Sequence, residues 1–466
     1  MGDSLARHMS EALRRLGRRH GERLIVFTRY PEAGSTKTRL IPVLGREGAA
    51  ELQRRMTEHT MRAVGALMGR RPLTLEVRFD GGRLTDSLVG ASLMRKWLGA
   101  GVWHRRQGTG NLGERMARAF AAAFDERAER ALIVGCDCPG VTADLLERAF
   151  DALRRHELVL GPAGDGGYYL IGLRRRQPRL FTSIPWGTSD VLPRTLAAAR
   201  GLGLSVGLLD ALDDVDRPDD LPVWQRIVAS SAASAAAPRI SVIIPALNEA
   251  ANVGFAVTSA ARGRSVEVVV VDGGSNDGTP EVARSCGARV MSAPRGRARQ
   301  MNAGATAASG DVLLFLHADT QLPWGFDECV RHALADAGVV AGAFGFAIGG
   351  DGAALRVLQR LTNYRARRFQ MPYGDQAIFL RAETFRAMGG FPEIPIMEDY
   401  ELVARLRRRG RIAVLCAPAL TSGRRWASVG ALRTTLLNQL VIGGYRLGVS
   451  PERLARWYLA PRRLRT

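Results

Sequence analysis

Each half of this chain opens with the same kind of pattern. Arg23 to Thr28 (RLIVFT) and Arg239 to Pro245 (RISVIIP) are short apolar runs that end in turn-rich segments, which predicts a strand buried on both faces. Similar runs follow at Ala131–Val134, Leu158–Leu160, Val266–Val271 and Val312–Leu316. Between them, stretches such as Gly48–Met68, Leu112–Phe124 and Thr279–Cys286 read as helices. That alternation predicts βαβ units, and hence an α/β protein built on mostly parallel sheets. The segment 229–238, with Ser and Ala through Ala237 and then Pro238, lies near the midpoint and reads as a linker. Two tandem domains are therefore expected, at 23–228 and 239–466. Ahead of them, residues 1–22 form a basic segment with Leu5, Met9, Leu13 and Leu16 on one helical face.

Composition narrows the picture. A length of 466 residues agrees with two or three domains, and 46% apolar with 24% charged residues is the profile of a globular chain. The formal charge of +21 invites a nucleic-acid reading, but all basic residues except Lys37 and Lys96 are Arg, a preference that matches codon bias. Aromatics are only 6% and are not interleaved with the basic positions, so nucleic acid is set aside in favour of an anionic small substrate or a lipid surface. Five scattered cysteines suit a reducing compartment, so the expectation is cytoplasmic. The first twenty residues lack the apolar core of a secretory signal, and nowhere do about 18 uncharged apolar residues run together as a membrane span would need. The apolar stretch Val429–Leu447 and the arginines after it (Arg453, Arg456, Arg462, Arg463, Arg465) suit either a helix lying on an anionic membrane or one packed on the sheet.

In open parallel sheets ligands bind beyond the carboxyl ends of the strands. Polar residues stand there in both halves: Cys136-Asp137-Cys138 after Ala131–Gly135, and His317-Ala318-Asp319 after Val312–Leu316. An acid at such a place can hold a divalent cation against a diphosphate or cap a helix. In the second half the motifs Pro245-Ala-Leu-Asn248-Glu249, Val271-Asp272-Gly-Gly-Ser275-Asn-Asp277, Ala298-Arg299-Gln-Met-Asn302, His317-Ala-Asp319 and Met397-Glu398-Asp399 resemble, in order and spacing, a family 2 glycosyltransferase. The resemblance implies a GT-A fold, a nucleotide-diphospho-sugar donor, Mg²⁺ or Mn²⁺, and inversion at the anomeric carbon. It implies donor contacts from Pro245, Asn248, Glu249, Asp272, Arg299 and Asp319, with Asp319 also at the metal. His317 stands where the family has its first metal-site acid. Asp399 takes the place of the general base, and Glu398, Asp375 and Gln376 lie on the acceptor side. Glu398 and Asp399 also suit the start of a helix at Tyr400.

In the first half, the loop Gly34-Ser-Thr-Lys37-Thr-Arg39 follows a strand without the glycine spacing of a P-loop, and its rare lysine suggests a compact charge for phosphate. With Gln107–Met116, Gly135–Pro139, Gly164-Asp165-Gly-Gly-Tyr168-Tyr169 and Asp213-Asp214-Val-Asp216-Arg217-Pro218, it resembles an uncharacterised GT-A-like transferase family of the DUF2064 type, related to small-molecule nucleotidyltransferases. That resemblance implies phosphate or nucleotide contacts from Gly34, Lys37, Arg39, Asp137, Asp165 and Asp216, with Asp137 and Asp216 near a metal. Asn111 stands where that family has Asp. The expected activity is sugar transfer from a nucleotide donor to a hydroxyl acceptor, a lipid-linked one among the options, by the second half. The first half binds or makes a nucleotide-linked compound, is itself a nucleotidyltransferase, or is a non-catalytic docking module. The basic carboxyl end is the expected point of peripheral membrane contact.

Overall fold

The computed structural model describes residues 21–80, 87–99, 101–233, 237–349, 353–422 and 431–459. Most of the expected N-terminal helix, part of the linker, and Arg462, Arg463 and Arg465 lie outside these. The chain forms two compact units that divide after residue 235.

The first unit is a seven-stranded sheet: β1 (Glu22–Arg29), β2 (Thr74–Asp80), β3 (Trp103–Arg106), β4 (Arg130–Gly135), β5 (Leu158–Pro162), β6 (Tyr168–Leu173) and β7 (Val206–Leu208), in the order β3-β2-β1-β4-β6-β5-β7. The centre is parallel, with Val26 opposite Val77 on one side and Val134 on the other. Only β6 runs against its neighbours. Leu24, Ile25 and Val26 are fully buried, as a strand covered by helices on both faces must be. The helix Leu221–Ala233 enters the segment read as linker, since Ala and Ser there sustain a helix already begun.

The second unit comprises β8 (Ile240–Ala246), β9 (Val266–Asp272), β10 (Arg289–Ser292), β11 (Val312–Phe315), β12 (Thr320–Gln321), β13 (Val339–Ile348), β14 (Phe379–Arg381) and β15 (Arg411–Thr421). Their order is β10-β9-β8-β11-β14-β13-β15-β12. With the two-residue β12 set aside, this repeats the first sheet strand for strand, including the single strand (β14) antiparallel to both neighbours. The sequence expectation of two mostly parallel α/β domains is met.

One irregularity shapes the second unit. Strand β14 is so short that it pairs with β13 only at Ala341 and Gly342. Farther along β13, side-chain amides supply hydrogen bonds. Gln376 Nε2 donates to the Phe344 carbonyl (3.0 Å), Asn363 Nδ2 donates to the Phe346 carbonyl (2.9 Å) and its Oδ1 accepts the Phe346 N–H (2.7 Å), and Gln359 Nε2 donates to the Ile348 carbonyl (3.3 Å). These are alternate residues of one strand, so their carbonyls point the same way.

Candidate functional site

At the carboxyl end of β9, Asp272 turns its side chain back over the following loop. Its Oδ2 accepts the N–H groups of Gly274 and Ser275 (2.9 and 3.0 Å). Its Oδ1 is buried with no hydrogen-bond partner among the described residues. A shielded carboxylate oxygen in that state leaves an acceptor for a ligand N–H or O–H. Across from it, Asn248 sits at φ 54°, donating its N–H to Ser275 Oγ and accepting the Asn276 N–H on Oδ1, so it joins the loops after β8 and β9. Glu249 binds Asn252 Nδ2 (2.7 Å), and Pro245 is a strand residue opposite Val271. Gln300 ties both strand ends together through the Ala246 and Val271 carbonyls.

The acids gather beyond β11. Asp399 lies in the first turn of the helix Glu398–Arg407, where its Oδ2 accepts the Gly374 N–H and its Oδ1 the Tyr400 N–H, both at 2.7 Å. A methyl group on Gly374 would come within 2.9 Å of His317 Nε2 and 3.1 Å of Asp399 Oδ2, so the histidine and the acid flank this turn. Asp375 follows, with Oδ1 shielded and unpartnered among the described residues. Burial pushes its carboxyl up to about 6, the Arg365 guanidinium opposes that, and the charges of Asp399 and Asp319 add to it. Asp375 therefore senses both Asp319 and Asp399.

Several assignments change here. Gln376 is fully buried and its amide is committed to Phe344 and to the Tyr373 N–H, so it is a structural residue and not an acceptor contact. Glu398 faces inward onto Arg297 (3.2 Å). Burial raises its carboxyl above the usual range, with Arg297 opposing and Asp399 reinforcing the rise. Arg299, expected at the diphosphate, is an exposed partner of Glu393 (3.1 Å), whereas its neighbour Arg297 reaches the acid pair. Sequence reading passed over Arg297 and also Arg365, whose guanidinium lies 3.6 Å from the centre of the Tyr373 ring; neither carries a motif signal. Among the described residues no three His, Cys, Asp or Glu side chains cluster as a self-sufficient metal site. Asp319 suits a cation that takes its remaining ligands from phosphate oxygens and water, the ordinary habit of Mg²⁺.

The first unit holds a cavity of about 1220 Å³, bordered by Lys37, Arg39, Arg115, Asp137, Asp165 and Asp216 among others. Gly34 (φ 87°) and Lys37 (φ 47°) bend the β1 loop so that the lysine side chain, only 2% exposed, points inward. Its Nζ donates to Asp137 Oδ1 (2.5 Å) and to the Val215 carbonyl (2.6 Å) and stands 3.7 Å from Asp216 Oδ1. Arg39 binds the other oxygen of Asp216 (2.6 Å). The expected phosphate cations and the expected metal acids are thus paired with each other, and the cation between Asp137 and Asp216 is an ammonium. Burial lowers the Lys37 pKa, but Asp137, Asp216 and Asp214 together raise it above its ordinary value. Asp165 accepts the Gly167 N–H, and Asn111 caps the helix Leu112–Asp125 in a reciprocal bond with Glu114, a role that Asp would fill equally well. Burial, followed by the charge of Asp137, pushes the Cys136 thiol up to about 12, which disfavours the reactive thiolate.

Residues 241–388 match the family model described as Glycosyl transferase family 2, and residues 55–188 match that of an uncharacterized protein conserved in bacteria (DUF2064). The chain thus carries one region of each family. A PGL/p-HBAD biosynthesis glycosyltransferase of Mycobacterium tuberculosis is 34% identical over 173 residues, covering 34% of this chain and 64% of that protein. A protein of Desulfovibrio desulfuricans G20 described as a nucleotide-diphospho-sugar transferase is 33% identical over 46% of this chain and 90% of its own, with a TM-score of 0.42. The mannosyltransferase PcManGT from Pyrobaculum calidifontis, solved with GDP-Man and Mn²⁺, is 22% identical over 48% of this chain and 71% of its own, with a TM-score of 0.36.

Proposed function

We propose that the second unit transfers a sugar from a nucleotide-diphospho-sugar to an acceptor hydroxyl with inversion. The carrying observation is the unpartnered Asp272 Oδ1 at the end of β9, in a sheet where Asp319 follows β11 and Asp375 feels the charges of Asp319 and Asp399. The match of residues 241–388 to glycosyl transferase family 2 supports the same reading. Asp272 accepts a hydrogen bond from the donor's base or ribose. Asp399, held by two backbone N–H groups, takes the proton of the acceptor hydroxyl as that oxygen bonds to the anomeric carbon and the nucleoside diphosphate leaves from the opposite face. Arg297 adds positive charge beside Glu398 and Asp399. A divalent cation at Asp319 would neutralise the departing diphosphate. The first unit, in this proposal, binds a nucleotide-linked compound in its cavity. The test is a screen of UDP- and GDP-sugars with Mn²⁺, following free nucleotide, on the full chain and on Asp272→Ala. Turnover by the parent is expected, with nucleotide affinity at least tenfold weaker in the variant; release of no nucleotide from any donor would remove the proposal.

A second reading is favoured by the Lys37 site, where an ammonium and Arg39 face a cavity walled by acids. It makes the first unit a nucleotidyltransferase that joins a phosphorylated small molecule to a nucleoside triphosphate. Pyrophosphate release by the full chain, lost in Lys37→Met, distinguishes it from a pure docking module.

A further inference from the structure

The helix Ala353–Phe369 of the second unit has its polarity reversed. Its inner face is not its apolar one: Gln359 and Asn363 point at β13 and Ala366 is fully buried. Three of its large apolar side chains point away, with Leu361 58%, Tyr364 63% and Phe369 53% exposed, while Leu355, Val357 and Leu358 are half-buried. At about 100° per residue, Val357, Leu361, Tyr364 and Arg368 form one outward stripe, and Arg356, Arg360 and Arg367 form a row along its flank. Between Asp351 and Asp375 the chain has no acid at all. The helix Ala431–Arg446 contacts this one and adds exposed Leu440, while Leu447 and Trp457 nearby in sequence are also exposed. An amphipathic surface with aromatic and aliphatic residues flanked by arginine is complementary to a surface that is apolar just beneath a layer of negative charge.

We infer that this face docks the protein on an anionic lipid bilayer, with Leu361, Tyr364 and Phe369 entering the headgroup boundary and the arginine row binding lipid phosphates. Sequence reading placed membrane contact at the carboxyl end of the chain; the observations favour a helix almost a hundred positions earlier, of the same unit as Asp399. The inner edge of that helix carries Arg365, which lies against Tyr373 and attracts Asp375. That an acceptor is drawn from the lipid surface rests on the proposed function; the docking itself does not.

The full chain is sedimented with phosphatidylcholine vesicles with and without phosphatidylglycerol. Binding is expected only with the anionic lipid and falls as salt rises. The variant Leu361→Ser/Tyr364→Ser/Phe369→Ser loses about tenfold in vesicle affinity while its UDP affinity and melting curve stay those of the parent, because all three positions are exposed. Arg356→Gln/Arg367→Gln/Arg368→Gln loses the preference for anionic lipid. As a reading that does not depend on loss of binding, Tyr364→Trp shifts its added fluorescence to the blue on anionic vesicles. The inference is overturned if the serine variant binds vesicles as the parent does, or if the parent ignores phosphatidylglycerol. It is equally overturned if the added emission of the Tyr364→Trp variant does not move, or if the arginine variant loses duplex DNA binding while the serine variant is unaffected on either surface. Unchanged UDP affinity in every case separates this outcome from failure of the donor site.

Discussion

Replacing Asp399 by Asn tests the base and the turn it holds in one experiment. Both carboxylate oxygens accept a backbone N–H at 2.7 Å, one from Gly374 and one from Tyr400. An amide has only one oxygen, so one of those donors must face an NH₂ group. The lost bond and the unsatisfied N–H cost about 1–3 kcal/mol of stability. Loss of proton acceptance separately lowers the transfer rate by roughly 10²–10⁴, or about 3–5 kcal/mol of barrier. Asp272 stands on another strand and is untouched, so UDP affinity is expected to remain within a few fold. Transfer rate, UDP affinity by calorimetry and melting temperature are measured on one preparation. A variant that melts a few degrees lower, binds UDP and transfers at near the parental rate would show that Asp399 only holds the Gly374 turn. An unchanged melting temperature would instead contradict the role given to the two hydrogen bonds.

Asp375→Asn isolates a pH effect. The folded carboxyl titrates at about 6, above its unfolded value, so its contribution to stability is complete below about pH 4 and is lost as pH rises through 6. The variant stays neutral, and its melting temperature should equal the parent's at pH 4 and exceed it at pH 8, by at most about 3 kcal/mol in stability; a gap independent of pH contradicts this. Lys37→Met strands Asp137 and Asp216 without their ammonium, and because both acids keep partial access to water the cost is about 1–3 kcal/mol, read by urea denaturation, with nucleotide binding in the first unit weakened as well. Sugar transfer by an otherwise unchanged second unit should persist, and its loss would indicate a composite site. Asp319→Ala should abolish the Mn²⁺ dependence of donor hydrolysis, followed as free nucleotide across a Mn²⁺ titration; parental turnover with the same dependence removes Asp319 from the metal.

The strand runs and the acids behind them were legible because a strand buried on both faces must be apolar throughout, so the first polar residue after it marks the carboxyl edge. Asp137, Asp272 and Asp319 all stand at such ends. What those side chains touch was not legible. Lys37 was singled out as a charge for phosphate because lysine is rare in this chain, whereas its pairing with Asp137 and Asp216 spans a separation in sequence that no local pattern encodes. The choice between Arg297 and Arg299 depends on helical phase, since side chains two residues apart in the helix Arg297–Ala307 point to opposite sides. Arg299 was selected by motif, whereas Arg297 reaches Glu398 by geometry. The apolar stretch near the carboxyl end was read with two outcomes open. Val441 and Ile442 are buried with Met397 and Leu454, in a cluster that holds no strand residue, while Arg433 and Asn438 lie outside the described side chains.

The amides that continue β13 leave a mark on which sequences this fold can tolerate. At 363 the side chain must donate to one peptide carbonyl and accept from the N–H of the same residue, and an amide of that length meets both with separate, adjacent atoms. Position 376 makes the same double demand, on Phe344 and Tyr373, whereas 359 needs a donor alone and is open to Lys or Arg. Drift in this region is therefore unequal: two amides are held by backbone geometry, and a comparison of variants that scored invariance as catalysis would mistake that backbone role for chemistry at Asn363 and Gln376.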